Sequence, residues 1–396
     1  MTKAREATFD DAAATPAGAP TIIVCDWIPP AFGAVGQYMM RRARIAAEAG
    51  GDVTLVGLGA TDDVATTAVG KGSLTIVRLA ALAADKKASL WRRAAWAAGK
   101  NVRLIRAARR VMREKHRGNW HVVVTGSPPF LSYLVLLLNW LVWRERVTYR
   151  ITDFYPETAI ASGRADWLRL AGPPVRFLRR RAAGIEALGE DQARRLAQSG
   201  VPDDRITIVR DVSPVDGWAV APAERPFDAE KVTLLYSGNL GIAHDIQTFG
   251  AAYEAHIRRG SDRVRLWLNA TGAQVDRLRA FCEGRGLPLV ATPPVPLAEL
   301  ASVLLAADAH LVLLRREFWG YVLPSKIYAC IESGRPIVYV GPTESDVHLL
   351  SSRRASPYFH VEPGDVDAAF AVFEQLADAV AARRSPNGGT PSEGDG

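Results

Sequence analysis

Cysteine is nearly absent. Only Cys25, Cys282 and Cys330 stand in 396 residues, and no CxxC pair occurs. That scarcity argues against a disulfide framework and leaves three reduced packing residues, Cys25 closing an apolar strand and Cys330 inside a helix. A membrane-spanning run is missing too. The most apolar stretch, Phe130 to Trp143, is fourteen residues interrupted by Ser132 and Asn139, short of the ~20 a bilayer needs. It reads as a buried helix on a sheet, with shallow membrane contact as the second reading. The N-terminus has no apolar signal core, so nothing argues for export. The DxD pattern occurs only as Asp365-Val366-Asp367, at the start of the last helix, where N-capping is the expected job and metal binding is not. Acid is scarce from Lys86 to Arg117, which holds twelve Lys/Arg against Glu114 alone.

What is present is the composition of a soluble globular protein, 48% hydrophobic and 23% charged, in a length that suits two domains. A net charge of +7 makes an anionic partner plausible: nucleotide, lipid headgroup or nucleic acid. No groove-reading or RNA-binding motif appears, which sets nucleic acid aside. The arginine-rich helix expected from about Ser89 to Lys115 repeats Trp91, Ala95, Ala98, Val102, Ile105, Ala108 and Met112 on one face. Its other faces carry Arg103, Arg106, Arg109 and Arg110, which read as facing an anionic membrane surface or as an ordinary solvated face.

The chain is organised around Val232 to His256. Val232 to Tyr236 is a short β-rich strand, Ser237-Gly238-Asn239-Leu240-Gly241 a turn with two glycines, and Ile246, Phe249, Ala252 and Tyr253 recur at helical spacing. Strand, glycine turn and helix in that order aim backbone N–H groups at a phosphate, although any α/β protein has such turns. Tyr321 to Gly341 repeats the design. Pro324 keeps Leu323 out of the helical region, Ser325 is placed to cap the next helix, and Lys326 sits in its first turn. A cation there opposes the helix dipole by about 0.3–1 kcal/mol unless an anion lies nearby. Ligands of parallel sheets lie at the carboxyl ends of the strands, so the two stretches together suggest a nucleoside-diphosphate site.

The remaining chain follows βα grammar, so parallel sheets are expected. Residues 1–20 read as a disordered tail, 21–212 as a first domain, 213–230 as a proline-rich linker and 231–364 as a second domain. A last helix follows at 365–384, and 385–396 is a polar tail. In the first domain Gly33 and Gly36, after Trp27-Ile28-Pro29-Pro30, let backbone approach something closely or merely permit a sharp turn. Asp153-Phe154-Tyr155-Pro156-Glu157 follows a strand, so Asp153 and Glu157 are cleft carboxylates or parts of a capped turn. A basic helix is expected near Trp167–Arg181.

The pair YSGNLGxxHD and LPSKIYxxxxSGRPIVYVG, with the opening Trp27-Ile28-Pro29-Pro30, resembles family 4 glycosyltransferases of the GT-B fold. The likeness is to the subgroup that builds bacterial surface polysaccharides. The resemblance implies two Rossmann-like parallel-sheet domains facing across a cleft, with the last helix crossing back to the first. It implies transfer of a sugar from a nucleoside-diphosphate sugar to a glycan, with a lipid-linked acceptor expected, at the cytoplasmic face of a membrane. It implies donor contacts from Gly238, Asn239, Leu240, Gly241, His244, Asp245, Pro324, Ser325 and Lys326, catalytic roles for Lys326, Asp153 and Glu157, and an acceptor or phosphate loop at Gly33 and Gly36. Retention of anomeric configuration and no metal or cofactor are expected with it. The chain departs from the family where two glutamates belong. Tyr321 and Ala329 stand there, and Glu317 and Glu332 are out of register. A GT-B sugar-nucleotide epimerase and a non-catalytic nucleotide-binding partner remain as alternatives.

Overall fold

The computed structural model describes residues 4–13, 19–30, 34–81, 90–115, 119–163, 165–215, 217–353 and 357–384. Gly33, Lys86–Ser89 and the tail 385–396 lie outside them. The chain divides into two compact units, Met1–Pro214 with Gly320–Leu323, and Val215–Trp319 with Pro324–Gly396.

The first unit runs β1 Arg5–Ala7, α1 Phe9–Ala13, β2 Thr21–Trp27, α2 Ala34–Glu48, β3 Asp52–Gly59, β4 Asp63–Val69, β5 Gly72–Ala80, α3 Leu90–Lys115, β6 His121–Thr125 and α4 Leu131–Leu138. It continues with β7 Arg146–Arg150, α5 Glu157–Ala161, α6 Gly172–Arg179, β8 Gly184–Ala187, α7 Glu190–Gln198 and β9 Ile206–Val209. The strands form one sheet in the order β1-β9-β8-β7-β6-β2-β3-β5-β4, parallel except for the β4–β5 pair. Successive residues of β2 serve opposite faces. Ile22 and Val24 pack under α3, α4, α6 and α7, and Ile23 and Cys25 pack under α1 and α2. Both faces are covered, so the central strands β2 and β6 carry continuous apolar runs, Ile22 to Cys25 and Val122 to Val124.

Three expectations change here. Residues 5–13 are not a disordered tail. Arg5–Ala7 extends the sheet in parallel beside β9, and Phe9 is buried in the core beneath α2. Four buried charges lie beneath that arm. Arg42 holds both oxygens of Glu186 (2.5 and 2.8 Å) and the Ala12 carbonyl, and Arg150 bonds Glu186 (3.0 Å) and Asp211. The Phe130–Trp143 stretch is not one buried helix. It is α4 followed by a π-helical turn, Asn139–Trp143, with only one face covered. The basic segment near Trp167–Arg181 likewise splits into a 3₁₀ turn, Asp166–Ala171, and α6.

The second unit runs β10 Val232–Asn239, α8 Ile246–Arg259, β11 Val264–Thr271, α9 Val275–Glu283, β12 Leu289–Thr292, α10 Leu297–Ala306 and β13 Ala309–Leu313. α11 Lys326–Glu332, β14 Ile337–Val340, α12 Asp346–Ser352, β15 Tyr358–Val361 and α13 Val366–Arg384 complete it. Its six strands are all parallel, in the order β12-β11-β10-β13-β14-β15. The expected linker is laid onto this sheet. Val215, Trp218, Ala223 and Phe227 pack with Leu235 of β10 and Trp267 of β11. The last helix, α13, which the resemblance sends towards the first unit, packs along α8 through Val372, Phe373, Leu376 and Val380. Asp365 caps it, accepting from Ala368 N at 2.9 Å.

Candidate active site

In the second unit the strand order reverses at β10. The connection through α8 leads to β11 on one side, and β13 lies on the other. Crevices of parallel sheets open at the carboxyl ends of the strands flanking such a point. β10 stays in register with β11 as far as Asn239↔Thr271, so the expected turn starts later than its sequence suggests. Gly238 has φ 110°, a left-handed conformation that favours glycine. Leu240 is buried, and its N–H donates to the Thr271 carbonyl at 2.6 Å. That amide is therefore committed to the fold. Tyr236 Oη donates to the Asn239 carbonyl (2.9 Å) and closes the turn from below.

His244 Nδ1 lies 2.9 Å from the Gly241 carbonyl. A carbonyl only accepts, so Nδ1 carries the proton. Burial, and then the charge of Lys326, push the imidazole down to about 3. His244 is therefore neutral, with Nε2 as an acceptor, suited to a hydroxyl rather than a phosphate. Asp245 also departs from its expected role. Its Oδ1 accepts from Gln247 N and Thr248 N, both at 3.1 Å, and its Oδ2 from Thr248 Oγ1 at 2.6 Å. The N-terminus of α8 already holds this carboxylate, which takes the place expected for a phosphate.

Lys326 carries the site. Its Nζ is buried, has no hydrogen-bond partner among the described residues, and stands 3.0 Å from the centroid of the Tyr236 ring. A Cβ built on Gly238 would lie 4.0 Å from that Nζ, so the open side of the glycine faces the ammonium. Burial holds the amine well below its ordinary value. A desolvated amine lying over a π-face gains strongly from an arriving anion, which favours its protonated form. Ser325 makes no side-chain cap bond, contrary to expectation, because its own backbone is already helical. Pro324 is buried, and its carbonyl accepts from Ile327 N at 3.1 Å.

Gly272 is a residue the sequence reading passed over. It follows β11 with φ 122°, and a Cβ there would fall 2.4 Å from Asn239 Oδ1 and 2.5 Å from the Leu240 carbonyl. The signal was available, since Ala270-Thr271-Gly272 repeats the small residues found after β10. Gly272→Ala is expected to push the 239–241 turn out of place. Nucleoside-diphosphate affinity should fall at least about tenfold while most stability survives, read by titration calorimetry and thermal melting. The strain behind that loss is of order 1–3 kcal/mol.

In the first unit the two expected carboxylates part company. Both oxygens of Glu157 are taken by Arg179, at 2.6 and 2.9 Å, and Arg179 also bonds Tyr133 Oη and the Tyr155 carbonyl. Glu157 is a structural ion-pair partner, which removes it as a free catalytic group. Asp153 is different. It follows β7, bridges through its backbone to Val322 of the Gly320–Leu323 segment, and burial pushes its carboxyl up to about 6. The folded protein therefore binds a proton at Asp153 that the unfolded chain has released, between the ordinary carboxylate value near 4 and about 6. Stability falls as pH rises through that window. Asp153→Asn is expected to flatten this dependence and to melt higher than the parent above pH 6.

Gly36 serves packing. A Cβ there would come within 1.8 Å of the Trp27 carbonyl, so α2 meets the end of β2 with no room for a ligand on that side. A polar group not foreseen from sequence lies at the same strand ends. Asp26 accepts from Ser127 Oγ at 2.7 Å, and burial raises its carboxyl. Lys100 is buried with its Nζ 3.3 Å from the Trp96 ring centroid. Of the expected membrane-facing arginines, Arg106 and Arg109 are exposed. Arg110 pairs with Glu114 (2.7 Å) and Arg103 with Asp62 (3.1 Å). Tyr321 packs on Phe154, Ala329 is buried, and Glu332 accepts from Trp218 Nε1. Among the described residues no group of three or more His, Cys, Asp or Glu could hold a metal ion.

No family model and no curated protein matches the chain. Solved structures do. A sucrose-phosphate synthase from Thermosynechococcus elongatus superposes with TM-score 0.69 at 15% identity, over 92% of this chain and 91% of that one. The catalytic domain of starch synthase IV from Arabidopsis thaliana, bound to ADP and acarbose, gives 0.61 at 11% identity, over 93% of each chain. A UDP-N-acetylglucosamine 2-epimerase assigned in Listeria monocytogenes gives 0.54 at 10%, over 91% and 88%. The fold is GT-B, with two Rossmann-like parallel-sheet units. Identities this low establish the fold and leave the chemistry to the site.

Proposed function

We propose that the chain is a glycosyltransferase that moves a sugar from a nucleoside-diphosphate sugar to a glycan acceptor. The observation that carries this is the buried, unpartnered Nζ of Lys326 beside Gly238 at the switch point of the second sheet. When the glycosidic bond to the donor breaks, negative charge grows on the departing diphosphate. A fixed cation in a desolvated setting stabilises that charge without reorganising. Lys326, protonated against the diphosphate, supplies a positive charge there, so the reaction is expected to proceed without a divalent metal, and the family resemblance implies retained configuration. The acceptor is a lipid-linked glycan of a cell-surface polysaccharide, met at the inner face of a membrane. The exposed arginines of α3 support that part of the reading. The starch synthase of like fold was seen with ADP, which agrees with a nucleoside diphosphate as the bound group.

A sugar-nucleotide epimerase is the second reading. The half-buried Asp153, with its carboxyl raised to about 6, is the kind of group that moves protons near neutrality, and the epimerase neighbour shares the fold. One experiment separates them. Labelled UDP-, GDP- and dTDP-sugars are incubated with the protein, with and without a lipid-linked oligosaccharide acceptor and with chelator, and the products are chromatographed. Label in the glycan, unaffected by chelator, supports the proposal. An epimeric sugar nucleotide formed without acceptor supports the second reading.

A further inference from the structure

One face of α4 is unusual for its surroundings. Leu131, Ser132, Tyr133, Val135 and Leu136 are buried against the sheet. Leu134 and Leu137, three apart, share the outward face of α4, and Phe130 just before the helix and Leu141 in the turn after it are exposed as well. The π-helical turn that follows sets Trp143 on the core and Trp140 on Phe177, and leaves Leu141 55% and Val142 57% exposed. Beside α6, the 3₁₀ turn Asp166–Ala171 presents Trp167 at 69% and Leu170 at 83%. Isolated apolar residues on a surface need no account, but a contiguous apolar stripe does.

The charges around the stripe say what covers it. α4 packs against α3 on one side and α6 on the other. The outward face of α3 carries exposed Arg106, Arg109, Arg110 and Arg113, and that helix holds a single acid, Glu114. α6 and the residues after it present Arg176, Arg180 and Arg181, with no acid in α4, the π-helical turn or α6. The Arg181 guanidinium lies 4.6 Å from the Phe177 ring and 5.4 Å from Trp140, which fastens the basic flank to the apolar one. An apolar ridge between two rows of guanidinium groups complements an anionic bilayer surface, with acyl chains for the ridge and headgroup phosphates for its flanks.

We propose that the first unit docks on an anionic lipid bilayer by inserting the Phe130–Val142 ridge, with Trp167 and Leu170, into the headgroup–acyl boundary. The arginines of α3 and α6 hold the flanking phosphates. This deepens the membrane part of the proposed function and rests on it for the partner. It goes beyond electrostatic attachment, because an inserted ridge resists salt whereas attraction between exposed charges does not.

The test is co-sedimentation of the full chain with vesicles of phosphatidylcholine alone and with phosphatidylglycerol, across a salt series. Wild type should bind the anionic vesicles and keep part of that binding at high salt. Leu137→Asp with Leu141→Asp should bind about tenfold or more weakly and lose the salt-resistant part. Both side chains face outward, so folding should persist, and unchanged nucleoside-diphosphate affinity in the same variant confirms it. Brominated lipids should quench tryptophan emission less in Trp167→Phe than in wild type. Complete release of wild type by salt, with the double variant binding equally well, overturns the insertion and leaves electrostatic docking standing. A lipid-free dimer that the double variant dissociates also overturns it, since the ridge would then belong to a second copy. Loss of sugar-nucleotide turnover alone would strike the proposed function and not this surface.

Discussion

Replacing Lys326 with alanine is expected to lower turnover about 10²–10³-fold, the usual effect of removing one donor to a developing oxyanion. The reason lies in where its charge is kept. Nζ is buried over the Tyr236 ring with no hydrogen-bond partner among the described residues, so the free protein bears the cost of a desolvated amine. A diphosphate relieves that cost, and the relief grows as charge gathers on the leaving group. Lys326→Ala should therefore melt no lower than wild type, and even higher, while losing activity. A loss of both would make the lysine a structural residue. Lys326→Arg is not a conservative rescue here, because a planar guanidinium spreads its charge over a fixed fork of donors and stays protonated, whereas the amine is a compact charge whose protonation shifts on burial.

Glu186→Ala is expected to destabilise the first unit by about 3–5 kcal/mol, the usual result of removing one partner from a buried ion pair. Glu186 is shared by Arg42 and Arg150, both buried. Without it Arg42 keeps only the Ala12 carbonyl, and Arg150 keeps Asp211 and the Val209 carbonyl. Burial alone would raise the Glu186 carboxyl, but the two guanidinium groups hold it down to about 2. A depressed carboxylate stabilises above its unfolded value near 4 and loses that contribution as pH falls towards 2. Chemical denaturation at pH 7 and at low pH should show the variant's deficit shrinking in acid. An exposed control, Arg106→Ala, should stay within about 0.5 kcal/mol of wild type. A deficit of that same small size in Glu186→Ala would mean the network contributes little.

The two parallel sheets were legible because buried strands are written as short apolar runs between glycine and proline. The positions of Gly238 and Lys326 followed from the same grammar. What stayed hidden involves partners far apart in the chain. Nothing local says that Glu157 belongs to Arg179, twenty-two residues on. Asp245 was legible as a cap, since it precedes the helix and Thr248 follows at the right spacing, but the family likeness drew it towards the donor. β4 escaped because both its faces are exposed, so no alternation marks it. The N-terminal arm reads as disordered by composition, yet Phe9 is its one aromatic residue and is the one that anchors it. The α4 ridge was hidden for the opposite reason. A helix apolar on all sides reads as buried, and only the packing shows which side is left bare.

The most direct test of the donor site is calorimetric titration of the wild-type protein and Lys326→Met with UDP, GDP, ADP and dTDP, across a pH series and in buffers of different ionisation enthalpy. The amine is held below its ordinary value in the free protein, and a bound diphosphate should raise it. Binding of at least one of these nucleotides should therefore take up a proton and weaken as pH rises, and Lys326→Met should lose both the proton uptake and most of the affinity. Equal affinity and equal proton uptake in the two proteins would contradict the assignment of Lys326 as the diphosphate's partner.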